Sequence, residues 1–484
     1  MAILPTLPPL PAFWRHLLTV LGGSLAAQAL PILAAPLITR LCTPAELGAF
    51  SLWFGVVAIA AVAATLRMEN AMIIDHGPGR QLLCLGVVRW SATWLALLLT
   101  MALAGARLAG WITMSWTGVL TLGAAAWLTA SMQTMLAYAA SHNAFAPAAR
   151  ARIVAAGGVA AAQLMLLVLL SLLAGPTLAA LPGQATAVDA LLAGHLLGLA
   201  AGLLAAHRLL PAPAGRLPAG HAAAWTPTPT ITETPASASK PARHLLQRWQ
   251  QCWQRLQRRH WRALLPTPVQ RRYLQRHRAF WYFSLPSNLL NAAVGQLPLL
   301  IIGARHGVMA AGLFALTQRV LAAPISLLAS SVLEVFKRES VRQYQQQGDC
   351  RPAYLHALRV LLALGIVPAL VLLVASPMLF RVAFGADWRG AGELAQLLAP
   401  LFFLNFVASP LSYVFFVAGR QKIELLWQVA LFLTTIAAFA APLTLKQNVL
   451  AYSIAYSLLY LLYLHMSYRY ARSTPAQRSS HAAG

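Results

Sequence analysis

Acidic residues are scarce in this sequence. Its 484 residues include only 11 aspartates and glutamates, against 36 lysines and arginines. None of the acidic residues falls in the middle of a long apolar stretch, where a proton or sodium relay would normally need one. The sequence also lacks G-x-S-x-G, H-E-x-x-H and P-loop motifs and any acidic metal cluster. We therefore predict a protein that is not an enzyme, with no catalytic residue, metal or cofactor; coupling to an ion gradient stays open.

Charged residues and cysteines are few as well. Charged side chains make up 10% of the chain and hydrophobic ones 59%, and the mean hydropathy is +0.65. A soluble protein of this length could not bury so much apolar surface. The four cysteines match neither a disulfide framework nor a metal-site spacing; they are Cys42, Cys84, Cys252 and Cys350. The composition thus excludes a soluble fold and indicates a membrane protein.

Long apolar blocks recur along the chain, each of the length that crosses ~30 Å of hydrocarbon as a helix. We place about twelve of them. They lie near residues 17–38, 47–66, 82–104, 112–139, 151–174, 186–208, 281–303, 311–333, 356–380, 391–418, 423–444 and 447–467. The N-terminal segment lacks a small-residue cleavage site after a short apolar core, so the first block is predicted to be a retained helix. The predicted fold class is an all-α polytopic membrane protein.

Basic residues are distributed unevenly between the loops. One set of alternate loops and the C-terminal tail hold many of them: Arg67, Arg80, Arg150, Arg152, Lys337, Arg338, Arg342, Arg351, Arg420, Lys422, Arg469, Arg472 and Arg478. The other set holds only Arg40, Arg107, Arg305, Arg381, Arg389 and Lys446. The positive-inside rule then places both termini in the cytoplasm, which agrees with an even number of spans. The net charge of +25 is explained by this orientation and by contact with anionic inner-leaflet lipids. RNA binding is the less favoured alternative, and no nucleic-acid partner is expected.

A basic segment rich in Pro, Ala and Thr separates two groups of six spans. Residues 211–279 are predicted to form a cytoplasmic linker that is partly disordered. A helical spacing recurs among its arginines, at Leu246, Trp249, Trp253, Leu256 and Trp261. This spacing suits a helix on the inner leaflet, and a solvated basic arm is the alternative. The other predicted units are two six-helix bundles, 1–210 and 280–470, and a cytoplasmic tail, 471–484.

The two halves also resemble each other locally. Residues 39–57 and 304–321 share an arginine, a short turn and a glycine, followed by helices in which three apolar positions coincide. The pairs are Phe50 with Phe314, Leu52 with Leu316 and Val56 with Val320. Chance is the alternative explanation for so short a match. Two pseudo-symmetric bundles related by an axis along the membrane normal would enclose a central cavity, and rocking them would alternate access to it. This architecture predicts transport.

Arg319 lies near the centre of a predicted span, where charge is rare and usually faces the bundle interior or a water-filled cavity. Its helical face carries small and polar residues, namely Gly312, Ala315, Ala322, Ala323, Ser326 and Ser330. Because carboxylates are scarce, we predict a positively charged cavity that binds an anion. The rigid guanidinium fork matches phosphate oxygens. The alternative is a structural ion pair or a contact with backbone carbonyls.

Other polar residues are further candidates for binding a substrate. They are Gln318, Arg67, Arg89, Asn288 and Asn291. Arg89 could instead snorkel to the headgroups, Arg67 could cap the interface beside Glu69, and the two asparagines could join helices by hydrogen bonds. His195 is predicted to be a packed, hydrogen-bonded residue and not a proton carrier.

Three stretches carry a family resemblance. They are residues 21–74 with "LITRLCTPAELGAFSL", residues 283–328 with "FALTQRVLAAPISLL", and residues 384–428 with "FGADWRGAGELAQLL". They resemble bacterial polysaccharide-biosynthesis flippases, the Wzx-type members of the multidrug/oligosaccharidyl-lipid/polysaccharide (MOP) exporter superfamily. The long insert at 211–279 departs from the usual shorter connection of that family.

This resemblance implies two bundles of six helices around a cationic cavity. It also implies a substrate, a glycan linked to undecaprenyl pyrophosphate, which is turned from the inner to the outer leaflet. A polysaccharide polymerase and glycosyltransferases are its expected functional partners. Arg319 matches a cationic position of the family's eighth helix; Arg67 and Arg89, and Arg40 and Arg305 at the periplasmic mouth, are weaker matches.

Other functions fit this sequence less well than a flippase does. A multidrug or metabolite antiporter of the same superfamily would be expected to use buried carboxylates. A major-facilitator carrier is disfavoured because the loop "HGPGR" lacks that family's signature. A membrane-embedded glycan polymerase or ligase would need a large periplasmic domain, and every predicted periplasmic loop is short. A non-transporting scaffold is favoured only by the linker.

Overall fold

The structure is a computed structural model that describes residues 12–74, 78–112, 114–173, 186–210, 267–278, 280–418 and 421–472. Helices dominate these ranges. They are α1 (Ala12–Leu41), α2 (Pro44–Thr65), α3 (Glu69–Ile74), α4 (Pro78–Leu108), α5 (Trp116–Ser141), α6 (Phe145–Leu173), α7 (Ala187–Leu209), α8 (Pro268–Arg276), α9 (Leu285–Pro324), α10 (Ser330–Gln347), α11 (Arg351–Phe384), α12 (Arg389–Leu411), α13 (Val414–Val417), α14 (Gln421–Ala440) and α15 (Leu445–Tyr470). The predicted all-α fold class is confirmed.

The number of membrane crossings agrees with the sequence. In the described ranges, 9 helical stretches are long and apolar enough to span a membrane. One of them, Phe280–Ala323, has 44 residues and is interrupted at Gly307, whose φ of 87° lies outside the helical region, so it supplies two spans. Two shorter apolar segments, Ala27–Leu41 and Leu426–Ala440, belong to α1 and α14. One doubled stretch and two shorter helices bring the 9 to the twelve predicted crossings.

Threonines define where several spans begin. The Thr43 hydroxyl accepts from the backbone N–H of Glu46 at 3.3 Å, and the Glu46 carboxylate accepts from the Thr43 N–H at 2.7 Å. Thr186 and Asp189 form the same reciprocal cap at the start of α7. Such a capping box satisfies two of the orphan N–H groups of a helix start. Two of the few acidic residues, Glu46 and Asp189, are therefore used to cap the first turns of helices.

Two lobes form from the two halves. In the first lobe, α6 packs along α1 and α7, and α5 contacts α2, α4 and α7; in the second, α12 packs between α9, α11 and α15. The lobes meet mainly where α2 runs against α9. Two sides of the molecule are named here for orientation. The Thr43 face carries Thr43, Gly307 and Trp388, and the linker face carries α3, α8 and α10.

A glycine pair lies at the centre of the lobe contact on the Thr43 face. The alignment of Phe50 with Phe314 makes Gly48 equivalent to Gly312, and these two glycines contact each other. A Cβ on Gly48 would overlap the carbonyl oxygen of Val308, and a Cβ on Gly312 would overlap that of Pro44, the residue equivalent to Val308. The two overlaps are therefore reciprocal, as a two-fold axis through the glycine pair requires. This contact supports the predicted relation between the halves.

On the linker face, α8 is attached to the first lobe. Tyr273 is buried against a cluster that includes Met68, Met72 and Cys84. Trp281, in the π-helical turn Phe280–Ser284, donates from Nε1 to the Leu274 carbonyl at 3.2 Å. A second π-helical turn, Ile325–Ala329, directly follows Pro324. The predicted amphipathic helix near residues 246–261 and most of the linker and tail lie outside the described residues.

Candidate functional site

Arg319 projects from the second lobe towards the first. It lies 12 residues after Gly307 in α9, which is about 18 Å along the helix. Its guanidinium is within electrostatic reach of Cys42, in the turn between α1 and α2, and of His195 on α7. Both of these neighbours belong to the first lobe. The side chain therefore faces the junction between the lobes and not surrounding lipid.

Within the part of the chain that the structure describes, the guanidinium of Arg319 has no charge partner. Among the described residues, no carboxylate, carbonyl or hydroxyl forms a hydrogen bond or an ion pair with Arg319. Its side chain is partly exposed, and none of its nitrogens is a buried atom that lacks a hydrogen bond. Two acidic residues, on α2 and on α12, already have other partners. Glu46 caps α2, and Glu393 contacts Lys446 at 2.8 Å. An accessible cation without a counter-charge attracts an anion.

Aromatic rings surround the neighbouring histidine. The His195 ring lies 5.8 Å from Phe50, 5.7 Å from Trp53 and 5.3 Å from Phe54, measured between ring centroids. The side chain is buried, as predicted, but its Nε2 has no hydrogen-bond partner within the described residues. The sequence predicted a hydrogen-bonded histidine, and the described residues supply no hydrogen bond to its Nε2. The aromatic rings around His195 were not predicted, because the spacing of Phe50, Trp53 and Phe54 is also that of an ordinary buried helix face.

The polar residues predicted on α9 occupy different positions. Gln318 is partly exposed beside Arg319. Asn288, near the start of α9, donates from Nδ2 to the Ser284 carbonyl one turn earlier at 2.7 Å. This bond is within one helix, so Asn288 does not use that donor to join two helices. Asn291 is exposed. Only Gln318 shares the level of Arg319, and the asparagines lie towards the linker face.

Arg67 and Arg89 also lie towards the linker face. Arg67 has a left-handed φ of 57° and pairs with Glu69 at 3.0 Å. Two polar atoms of this pair are buried and have no hydrogen-bond partner among the described residues. They are Nε of Arg67 and Oε2 of Glu69. Arg89 is exposed on α4 and within electrostatic reach of His207 on α7. The structure brings neither arginine to Arg319.

The two arginines predicted at the periplasmic mouth bind helix ends. Arg40 donates to the Val382 carbonyl at 3.2 Å, which joins the end of α1 to the last turn of α11. Arg305 donates to the carbonyls of Phe439 and Ala441 at the end of α14. Cationic side chains at helix C-termini satisfy orphan carbonyls and complement the helix dipole. Trp388, which the sequence did not single out, donates from Nε1 to the Thr39 carbonyl at 2.9 Å and forms a second link between the lobes.

Cys42 offers a chemical probe of the lobe junction. Burial raises the pKa of its thiol from 9.0 to about 12; Glu46 adds to the rise and Arg319 opposes it. Because only the thiolate attacks a maleimide, we expect labelling of Cys42 at pH 8 to be about 100-fold or more slower than that of an exposed cysteine. Its rate should still increase roughly tenfold per pH unit up to pH 10, since this whole range lies below the thiol pKa.

The measurement uses mass spectrometry on a chain with Cys84, Cys252 and Cys350 replaced by alanine. The matched control carries Cys42→Ala and Ala45→Cys, because Ala45 is exposed in the first turn of α2. The rate for the control should level off near pH 9. A Cys42 rate that levels off at the same pH would contradict the buried, protonated thiol.

Comparisons with known proteins agree with this fold. Residues 244–393 match the sequence model of a family described as polysaccharide biosynthesis protein. The lipid II flippase MurJ in an inward closed conformation is similar with a TM-score of 0.64 at 11% identity, over 94% of this chain and 87% of that one. An inward-facing multidrug resistance transporter of the MATE family in the MOP superfamily has a TM-score of 0.57 at 14% identity, over 94% and 95%.

A MOP superfamily transporter from Pyrococcus furiosus, whose binding pocket is described as being of reverse polarity, has a TM-score of 0.54 at 12% identity, over 94% of both chains. A comparison with curated protein sequences finds no match. At these identities the solved structures establish the fold, which is the two-lobe fold of MOP transporters. The matched segment is similar to polysaccharide biosynthesis proteins, and the solved structures share the fold that the sequence resemblance implied.

Proposed function

From a MOP transporter fold and a segment typical of polysaccharide biosynthesis, we propose that this chain is a flippase for a lipid-linked oligosaccharide. The substrate is a glycan on undecaprenyl pyrophosphate, moved from the cytoplasmic to the periplasmic leaflet of the bacterial inner membrane. The product serves a surface polysaccharide such as O-antigen, capsule or exopolysaccharide. In this orientation the Thr43 face is periplasmic and the linker face, with both termini, is cytoplasmic.

The observation that carries the proposal is the guanidinium of Arg319, which pairs with none of the residues that the structure describes. A charge at this depth is costly unless it is compensated, and the described carboxylates do not compensate it. A diphosphate supplies the missing charge and oxygen atoms that a guanidinium can bind in pairs. The polyprenyl tail can stay in lipid because only the headgroup needs the site.

The contacts between the lobes support a state that is closed towards the periplasm. The glycine pair Gly48 and Gly312, the bond from Arg40 to Val382 and the bond from Trp388 to Thr39 all lie on the Thr43 face. Substrate would enter from the cytoplasmic leaflet. Release on the other side then requires these three contacts to separate while the linker face closes, as in alternating access.

Leaflet transfer in vesicles tests this function. The full chain is reconstituted into phosphatidylethanolamine–phosphatidylglycerol vesicles that contain undecaprenyl pyrophosphate carrying a fluorescently labelled sugar. A membrane-impermeant quencher added outside should quench the outer-leaflet half at once and then, as transfer proceeds, the remainder. Protein-free vesicles should retain the second half. Retention of that half in vesicles with folded protein and a matching glycan would contradict the proposal.

An antiporter for cationic compounds is the second candidate, favoured by the similarity to MATE transporters. It predicts release of a cationic dye from the same vesicles under an imposed proton or sodium gradient, with no transfer of the labelled lipid. We favour the flippase because an uncompensated arginine at the lobe junction repels a cationic substrate.

A further inference from the structure

A basic pocket lies on the linker face, outside the junction that contains Arg319. It is bordered by α10 and by the turn between α12 and α13, and its volume is about 450 Å³. Its lining is Lys337, Arg338, Val341, Arg342 and Tyr413. Three of these five side chains are cationic and none is acidic. A pocket of this composition suits an anion.

Two carboxylates stand beside the pocket and position its cations. Glu334 contacts Lys337 at 2.9 Å, and Glu339 contacts Arg342 at 2.7 Å. Hydrogen bonds from Arg342 and Gln343 hold the pKa of Glu339 below its usual value, so this carboxylate stays ionised at neutral pH. Each pair is partly exposed to solvent and uses only some of the donors of its cation, so the attraction between the partners is weak.

Tyr413 completes the wall opposite α10. The ammonium group of Lys337 lies 5.6 Å from the centre of the Tyr413 ring, within the range of a cation–π contact. This contact holds the lysine against the turn that follows α12. The pocket therefore joins two segments that are separated in sequence, and it depends on both.

The helix α10, which carries the three cations, is packed firmly against its neighbours. Phe336 is buried and packs edge-on against Tyr354 of α11 at 6.4 Å between ring centroids. Tyr354 in turn is within 2.8 Å of the Ser467 hydroxyl, and the Cys350 N–H donates to the Ala471 carbonyl at 2.8 Å. The ends of α10, α11 and α15 are thus locked together. A preformed site loses little conformational entropy when it binds a ligand.

The surroundings of the pocket favour a ligand with an apolar body. Leu328, in the π-helical turn before α10, is 43% exposed, and Val335, in α10 itself, is 70% exposed. These residues are seven apart and lie on one helix face. A helix that exposes apolar residues next to cations lies at the boundary between lipid and water.

We propose that this pocket binds the phosphate of an anionic phospholipid in the cytoplasmic leaflet. Lys337 and Arg342 hold the phosphate oxygens, Tyr413 borders the headgroup, and the acyl chains lie along the stripe of Leu328 and Val335. The lipid links α10 to the turn after α12 and so stabilises the cytoplasmic side of the second lobe.

The test measures lipid-dependent thermal stability of the purified full chain. Phosphatidylglycerol in mixed micelles should raise the unfolding temperature above that in phosphatidylcholine, with saturation at a defined lipid concentration. The double variant Lys337→Gln/Arg342→Gln should require about tenfold or more phosphatidylglycerol for half of the effect. The matched control, Arg150→Gln/Arg208→Gln, removes two exposed cations from the same face of the first lobe and should respond as the wild type does.

Two further arms identify the ligand. Inorganic phosphate at the same concentration should have no effect; an equal shift with inorganic phosphate would overturn the assignment to a lipid. An equal loss of response in both double variants would overturn the assignment to this pocket, because general surface charge would then explain it. Comparing the unfolding temperatures without anionic lipid shows whether either variant is damaged in itself, and Tyr413→Leu provides an independent variant that keeps all charges.

Discussion

Replacing Arg319 with alanine is expected to abolish leaflet transfer of the lipid-linked diphosphate in reconstituted vesicles. The variant loses a charge that would bind the pyrophosphate at membrane depth. Removing one partner of a desolvated, hydrogen-bonded charge pair costs about 2–5 kcal/mol, so transfer should fall by roughly 30-fold or more. Arg319→Lys keeps the charge and loses the planar fork, and it should retain part of the activity.

The same variant distinguishes a binding role from a structural one. If Arg319 held helices together by an ion pair, its loss would leave a buried carboxylate unpaired and destabilise the protein. Because Arg319 has no such partner among the described residues, we expect the unfolding temperature of Arg319→Ala to equal or exceed that of the wild type. Arg381→Ala, which removes an exposed arginine near the end of α11, is the matched control and should transport normally. Normal transfer by folded Arg319→Ala would defeat the site assignment.

Alanine at either glycine of the lobe contact should prevent the Thr43 face from closing. The added Cβ of Gly312→Ala overlaps the Pro44 carbonyl oxygen, and that of Gly48→Ala overlaps the Val308 carbonyl oxygen. Backbone atoms cannot move aside as a flexible side chain can, so the two helices must separate. We expect both variants to lose most transport. We also expect each to label at Cys42 about tenfold or more faster than the wild type, because burial of that thiol depends on the closed face.

Gly295→Ala is the control for this pair. Gly295 lies in the same helix, α9, and a Cβ there would meet no atom within 4 Å. It should therefore transport and label as the wild type does. The equivalence of Gly48 and Gly312 adds a stricter condition: their two alanine variants should have effects of similar size. A wild-type rate of Cys42 labelling in well-folded Gly312→Ala would show that the contact does not control closure.

The fold was largely predictable from sequence, because membrane crossings depend on local hydropathy and length. The twelve spans and the equivalence of Phe50 with Phe314 required no knowledge of packing. The helix α10 was not predicted, since its mixed polar sequence follows a span and reads as a loop.

The site was predicted only in part, for a related reason. The sequence indicated that Arg319 lies on a helix face of small and polar residues. It did not show that this face is directed towards the first lobe, because that depends on how the two lobes pack. Three side chains donate hydrogen bonds to carbonyls that lie more than one hundred residues away in the sequence. Arg40 donates to Val382, Arg305 to Phe439 and Trp388 to Thr39. No local pattern encodes such partners, so the role predicted for the two arginines in a substrate mouth stays a prediction. Their observed contacts are with helix ends.

The attachment of α8 has a mechanical consequence. Tyr273 fixes the end of the linker to the first lobe, while α9 begins the second lobe at Leu285. Any swing of one lobe against the other must therefore be absorbed between His277 and Leu285, a stretch that includes a π-helical turn with one extra residue per hydrogen-bonded ring. This short connection limits how far the second lobe can move relative to the first, whatever the length of the preceding linker.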